Sequence, residues 1–254
     1  MLYQAYIFMK LFRRGILAGY LALAAPAVIH GNNHNGSEPI EMQHAAMASV
    51  QNGMLEYSRN CGWIDWGHAI PDGPRKLLDM LLSESGEPSS DGTHYDIDYS
   101  QTMKKVVLEI EATAGVSGKY RIRRGLSKHE KIRVAYAILE DISYRFEEFQ
   151  GQGIYRFVTG HSSFAEEDLP SNLMAFNRAR YSLSRNEMRH ICDAVGKEKS
   201  EKILENGEYG RTNTKLKPVI RNRGGRIPYE MLPPKKPQKD SYQPVGYTHI
   251  HSIK

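Results

Sequence analysis

A single apolar stripe constrains this chain more than any other feature. Ile132, Ala135, Leu139, Ile142, Phe146 and Phe149 recur at spacings of three and four, the period of a helix with one buried face. Ser127, with Glu130 three residues later, is an N-terminal capping pattern, so the spacing predicts a long helix from Ser127 to about Gln150. A helix of that length must lay its stripe on a second layer. Two further Ser/Glu boxes follow, at Ser163/Glu166 and Ser184/Glu187. Between them, Pro170 suits a first helical turn, so a helix is expected from near Asp168 through Leu169, Leu173, Phe176 and Ala179. The last box predicts a third helix carrying Met188, Ile191, Cys192 and Val195.

The partner layer is read as a hairpin. Val106, Leu108 and Ile110 alternate with polar residues, Gly115-Val116-Ser117-Gly118 reads as a turn, and Tyr120-Arg121-Ile122-Arg123 alternates again. In that register Glu109 and Glu111 would face Arg121 and Arg123, a cross-strand charge pairing preferred over a phosphate clamp made by the arginines. A first short helix is expected over 44–58, an apolar helix over Lys76–Leu82 after the Pro71-Asp72-Gly73-Pro74 turn, and a loop over 83–93. Ile154–Val158 is a short strand candidate. From Arg211 onward the prolines at 218, 228, 233, 234, 237 and 244 oppose regular structure, so 211–254 reads as an extended basic tail. Its Arg211–Arg226 segment has six basic residues and no acid; a strap over the domain is preferred to an arm binding an anionic polymer.

Export is expected from the N-terminus. Lys10, Arg13 and Arg14 precede an apolar run from Gly15 to Ile29, with Ala25-Pro26-Ala27 placing small residues where a signal peptidase cleaves. The run is too short and too rich in Ala and Gly to predict a lasting membrane span, and no lipobox cysteine follows it. Residues 1–27 then read as a signal peptide, 28–43 as a flexible leader and 44–210 as one globular domain. Cleavage removes three of the 34 basic side chains, leaving 31 against 29 acids. That near balance argues against nucleic acid as a partner. Cys61 and Cys192 would meet an oxidising compartment, where they either pair or stay as buried thiols.

Candidate chemistry concentrates in Cys61-Gly-Trp-Ile-Asp-Trp-Gly-His-Ala69, which holds both tryptophans. On a helix, Asp65 and His68 would share a face, and a carboxylate beside an imidazole prepares a general base. The bland alternative is a core histidine satisfied by Asp65 beneath Trp63 and Trp66. Cys61 is a weaker nucleophile candidate. Gly160-His161-Ser162-Ser163-Phe164 departs from the hydrolase elbow, because Phe164 stands where the second glycine is needed. Glu166, Glu167 and Asp168 suit a helix N-terminus without any further role. No HExxH or CxxC occurs, so a divalent metal has no full ligand motif behind it.

Three ordered segments together resemble a known family. They are Gly62–Ala69, the alanine-rich helix segment Ala135–Ser143, and Ser162-Ser-Phe-Ala-Glu-Glu-Asp-Leu-Pro-Ser-Asn-Leu173. Over about residues 60–180 the chain resembles an uncharacterised bacterial exported-protein family, domain of unknown function 4056. The resemblance implies export and no defined activity. It singles out Asp65, His68, Glu140, Glu167, Asp168 and Asn172 as its polar positions. Where the family carries a His-Glu pair, this chain has Leu139-Glu140, so the resemblance implies one metal ligand fewer here.

These readings combine into an α+β fold, mostly helical, with one hairpin packed on a helix cluster and an extended C-terminal strap. The expected function is that of a periplasmic or secreted cell-envelope hydrolase. His68, Asp65, Glu140 and Glu167 are its candidate catalytic residues; Trp63, Trp66, Asp168 and Asn172 are its candidate binding residues. The alternative is a non-catalytic envelope binding or assembly protein that holds a small molecule or envelope component with its tryptophans and basic tail. A stoichiometric divalent metal would separate the chemistries.

Overall fold

The long helix forms as the stripe requires. The computed structural model describes residues 38–107, 110–150, 167–207, 220 and 227–253. In chain order the elements are α1 (Glu38–Gln51), β1 (Leu55–Ser58), β2 (Gly62–Asp65), α2 (Asp72–Ser83), β3 (Glu87–Pro88), β4 (His94–Val107) and β5 (Ile110–Arg123). They continue as α3 (Lys128–Gln150), α4 (Asp168–Tyr181), α5 (Arg185–Cys192), α6 (Lys197–Glu205), a 3-10 turn at Tyr229–Met231, and β6 (Tyr242–Ile253). This is an α+β arrangement of helices with two antiparallel sheets, β1-β2 and β3-β4-β5-β6.

The larger sheet turns one face onto α3. Tyr95, Ile97 and Tyr99 of β4 and Ala114, Val116, Tyr120 and Ile122 of β5 alternate inward, and all are buried with Ile132, Ile138, Ile142 and Phe146 of α3. The hairpin is longer than expected and is paired differently. Gly115–Gly118 is not a turn but the middle of β5, opposite Tyr99–Thr102 of β4. The reason is steric: a Cβ on Gly118 would stand 2.9 Å from Cδ1 of Ile142, so the glycine lets α3 approach the sheet. The charge register changes with it. Arg121 faces Asp96, not an acid of 109–111, and holds it with two hydrogen bonds of 2.9 and 3.0 Å.

The tail departs most from expectation. Its last twelve residues form β6, which pairs with β5 from Ile122↔Tyr242 to Ala112↔Ile253. Pro244 is tolerated because β6 is an edge strand, and the register is interrupted beside it, between Lys119 and Tyr120. Asp141 of α3 ties the layers together, accepting hydrogen bonds from Tyr120 (2.7 Å) and Tyr247 (2.6 Å) while Arg145 stacks on the Tyr247 ring. Burial and the adjacent Asp141 carboxylate push the Tyr247 hydroxyl up to about 12.

Glu130 anchors the approach to that strand. Ser127 Oγ accepts from the Glu130 N–H at 3.2 Å, as a cap should, but the Glu130 carboxylate does not serve the cap alone. It is 4% exposed and accepts from Ser241 Oγ at 2.7 Å and from the Gln238 N–H, with Arg133 at 3.2 Å. Burial opposes its ionisation, yet these donors outweigh burial and hold the carboxyl below its ordinary value. A depressed folded pKa contributes stability that is complete above the unfolded value of about 4.3 and is lost as pH falls through the folded one. We expect β6 amides to lose hydrogen-exchange protection below about pH 4, relative to β4 amides. Glu130→Gln should remove that difference while costing about 1–3 kcal/mol at neutral pH. Equal protection of both strands at either pH would refute the anchor.

The second, smaller apolar cluster lies under α1 and α6 and comprises Ala46, Val50, Leu55, Trp63 and Leu204. The helix expected over 44–58 is instead α1 followed by β1, with Gly53 at φ +71° making the break. The Ser184/Glu187 box forms in full at the start of α5, and Cys61 and Cys192 are joined in a disulfide. The strand expected at 154–158, the Ser163/Glu166 box, residues 1–37 and the basic run 211–226, apart from Ile220, lie outside the described residues.

Candidate functional site

Helix α4 is unusual in being buried along most of its length, from Asp168 to Asn177. A helix enclosed in this way must pair its polar side chains within the protein. Ser171 donates to the Glu167 carbonyl and accepts the Asp65 N–H at 2.8 Å, which fixes the end of β2 against α4. Asn177 donates to the Met231 carbonyl at 2.6 Å. Asn172 Nδ2 is buried without a hydrogen-bond partner among the described residues.

His68 reaches this helix from a turn, not from a helix of its own. Asp65 Oδ1 accepts the Gly67 N–H at 2.7 Å, which folds the chain back after β2, and the Ala69 N–H returns to the Asp65 carbonyl at 3.0 Å. Arg178 holds the far end by donating to the Ala69 carbonyl. Burial first, and then neighbouring Arg185, lower the pKa of Arg178, which nonetheless stays cationic. Within this turn the His68 Nδ1 lies 3.9 Å from Asp168 Oδ1, with side-chain exposures of 27% and 7%. Glu147 of α3 completes the group: one donor atom from each of His68, Glu147 and Asp168 lies within 4.8 Å of the others.

The expected site residues are thus partly brought together. His68 and Asp168 meet. Asp65 supports the turn through its own backbone neighbours and is not the hydrogen-bond partner of the imidazole. Glu140 is exposed, two helical turns (roughly 10 Å) from Glu147 along α3, and interacts with Tyr136. Glu167 is buried at the start of α4, outside the three-residue group. Asn172 lies one turn beyond Asp168 on the same helix.

Both tryptophans are core residues. Trp63 packs edge-on against Tyr57, with ring centroids 5.3 Å apart, inside the smaller cluster. Trp66 donates from Nε1 to Glu56 at 3.1 Å and lies beneath the Arg185 guanidinium. Neither exposes a ring face on which a ligand would stack. Cys61, in its disulfide, is no thiol nucleophile.

Glu147 is the residue that sequence reasoning missed. Glu147 and Glu148 are chemically identical neighbours, and only the phase of the helix separates the buried one from the exposed one. A faint signal exists: Phe146 and Phe149 flank the pair, so one glutamate must border the buried stripe.

No family model matches the chain, and neither the curated proteins nor the solved structures include a significantly similar one. Among the described residues, no helix is long and apolar enough to cross a membrane.

Proposed function

We propose that this is an exported protein that hydrolyses an amide or ester of the cell envelope, using His68 with Glu147 and Asp168. The observation that carries the reading is the meeting of one partly exposed imidazole with two buried carboxylates from separate helices. Water entering beside His68 would find a base, and a carboxylate nearby steadies the imidazolium that forms when the proton is taken. The N-terminal charge and apolar pattern, together with a disulfide, support an oxidising compartment outside the cytoplasm. Hydrolysis is favoured over a non-catalytic binding role because Trp63 and Trp66 are committed to packing.

The test is His68→Ala. Its side chain is partly exposed and its Nδ1 has no hydrogen-bond partner among the described residues, so little stability depends on it. The thermal midpoint should move by no more than about 2 °C. Turnover of ester and amide substrates, including envelope fragments, should fall by roughly 100-fold or more. Retained turnover, or a large stability loss in this variant, would remove the reading.

A further inference from the structure

The separation of His68 from Asp168 is too long for a hydrogen bond and short enough for two ligands of one ion. At 3.9 Å, His68 Nδ1 and Asp168 Oδ1 are too far apart to share a proton. Two ligands of one ion, each at about 2.1 Å, stand at most about 4.2 Å apart. The donors come from three separate elements, namely the turn after β2, α3 and α4, so the fold and not a local sequence run assembles them.

A second observation points the same way. Three buried polar atoms on the elements that supply this group lack a hydrogen-bond partner among the described residues: His68 Nδ1, Ser143 Oγ and Asn172 Nδ2. Ser143 lies one turn before Glu147 on α3, and Asn172 one turn after Asp168 on α4, so each shares a helix face with a member of the group. Buried polar atoms seldom go unpaired, and where several do so together they commonly mark a place for an ion or water.

We propose that His68, Glu147 and Asp168 bind one divalent transition-metal ion of the zinc or manganese class. One imidazole with two carboxylates suits such ions, and three protein ligands leave a coordination position open for water. Asn172 and Ser143, each one turn from a ligand on the ligand's own helix, would be the residues to orient the carboxylates or a bound water. Bound there, the ion would supply Lewis acidity and a more acidic water for the hydrolysis above. The inference rests on that reading and on its three residues, with the imidazole as a ligand in place of the base; ion binding is measured without turnover.

The experiment is calorimetric titration of the chelator-stripped, disulfide-intact protein with zinc chloride and, separately, manganese chloride. One ion per chain is expected for at least one of the two. His68→Ala, Glu147→Gln and Asp168→Asn should each weaken binding by roughly tenfold or more, whereas Glu140→Gln, at an exposed position two turns from Glu147, should not. His249→Ala tests the competing pair on β6, where His249 and His251 both stack near Phe149. Circular dichroism checks that each variant is folded; should the buried-carboxylate variants fail, His68→Ala decides. Absence of stoichiometric binding, or binding lost in His249→Ala but kept in His68→Ala, overturns the proposal. Binding without any hydrolysis keeps the ion site and removes the hydrolase; hydrolysis by the stripped protein keeps the hydrolase and removes the ion's part in it.

Discussion

Glu56→Ala should cost about 3 kcal/mol, the lower end of the range for breaking a buried ion pair. Glu56 is buried and receives Arg189 through two hydrogen bonds, 2.8 and 2.6 Å, together with the Trp66 indole at 3.1 Å. Alanine leaves both donors without their acceptor. Arg189 is about a third exposed and recovers part of its solvation, which is why the upper end of the range is not expected. The Trp66 N–H is enclosed and recovers less. A loss of this size corresponds to a fall in thermal midpoint of roughly 6–12 °C for a domain of this length. The double variant Glu56→Leu/Arg189→Met should regain much of the loss, because removing both charges of a buried pair is far milder than removing one. Glu56→Ala losing less than about 1 kcal/mol would show the pair to be surface ornament.

The second large effect is on the disulfide. Replacing Cys61 and Cys192 together by alanine should destabilise the protein by about 2–5 kcal/mol. The bridge closes a sequence separation of 131 residues, and long loops lose the most unfolded-state entropy on cross-linking. Both half-cystines are buried, with the Cys192 sulfur 3.4 Å from that of Met174, so a cavity adds to the entropic cost. Cys61 immediately precedes β2, the strand that delivers His68, and Cys192 ends α5. Reductant should therefore lower the urea midpoint of the native protein and leave that of the alanine pair unchanged. Equal midpoints with and without reductant in the native protein would show that the bridge does not contribute.

Helical periodicity was the most readable layer of this sequence. The stripe from Ile132 to Phe149 anticipates α3 closely, and Ser184/Glu187 marks the start of α5 because a capping box is a local device. Strand pairing was less readable. Gly115 and Gly118 look like turn residues until Gly115 is seen pressed against Gln101 and Thr102 of β4, and Gly118 against Tyr120 and the distant Ile142 of α3. Proline density concealed β6, although the residues after Pro244 alternate as a strand does. At the candidate site, the turn residue His68 stood out by composition, while its neighbour Glu147 did not. Which carboxylate faces inward is decided by helix phase and by packing between distant segments, and neither is written locally.

The placement of β6 has a consequence for biosynthesis. Its partner β5 acquires its second neighbour only from residues 242–253, at the C-terminal end of the sequence given. A growing polypeptide therefore cannot complete this sheet until translation has passed Ile253, however early α3 forms on the ribosome. Nonsense truncation ahead of Tyr242 would strip β5 of that cover and bare a row of unsatisfied amides and carbonyls, an invitation to aggregate.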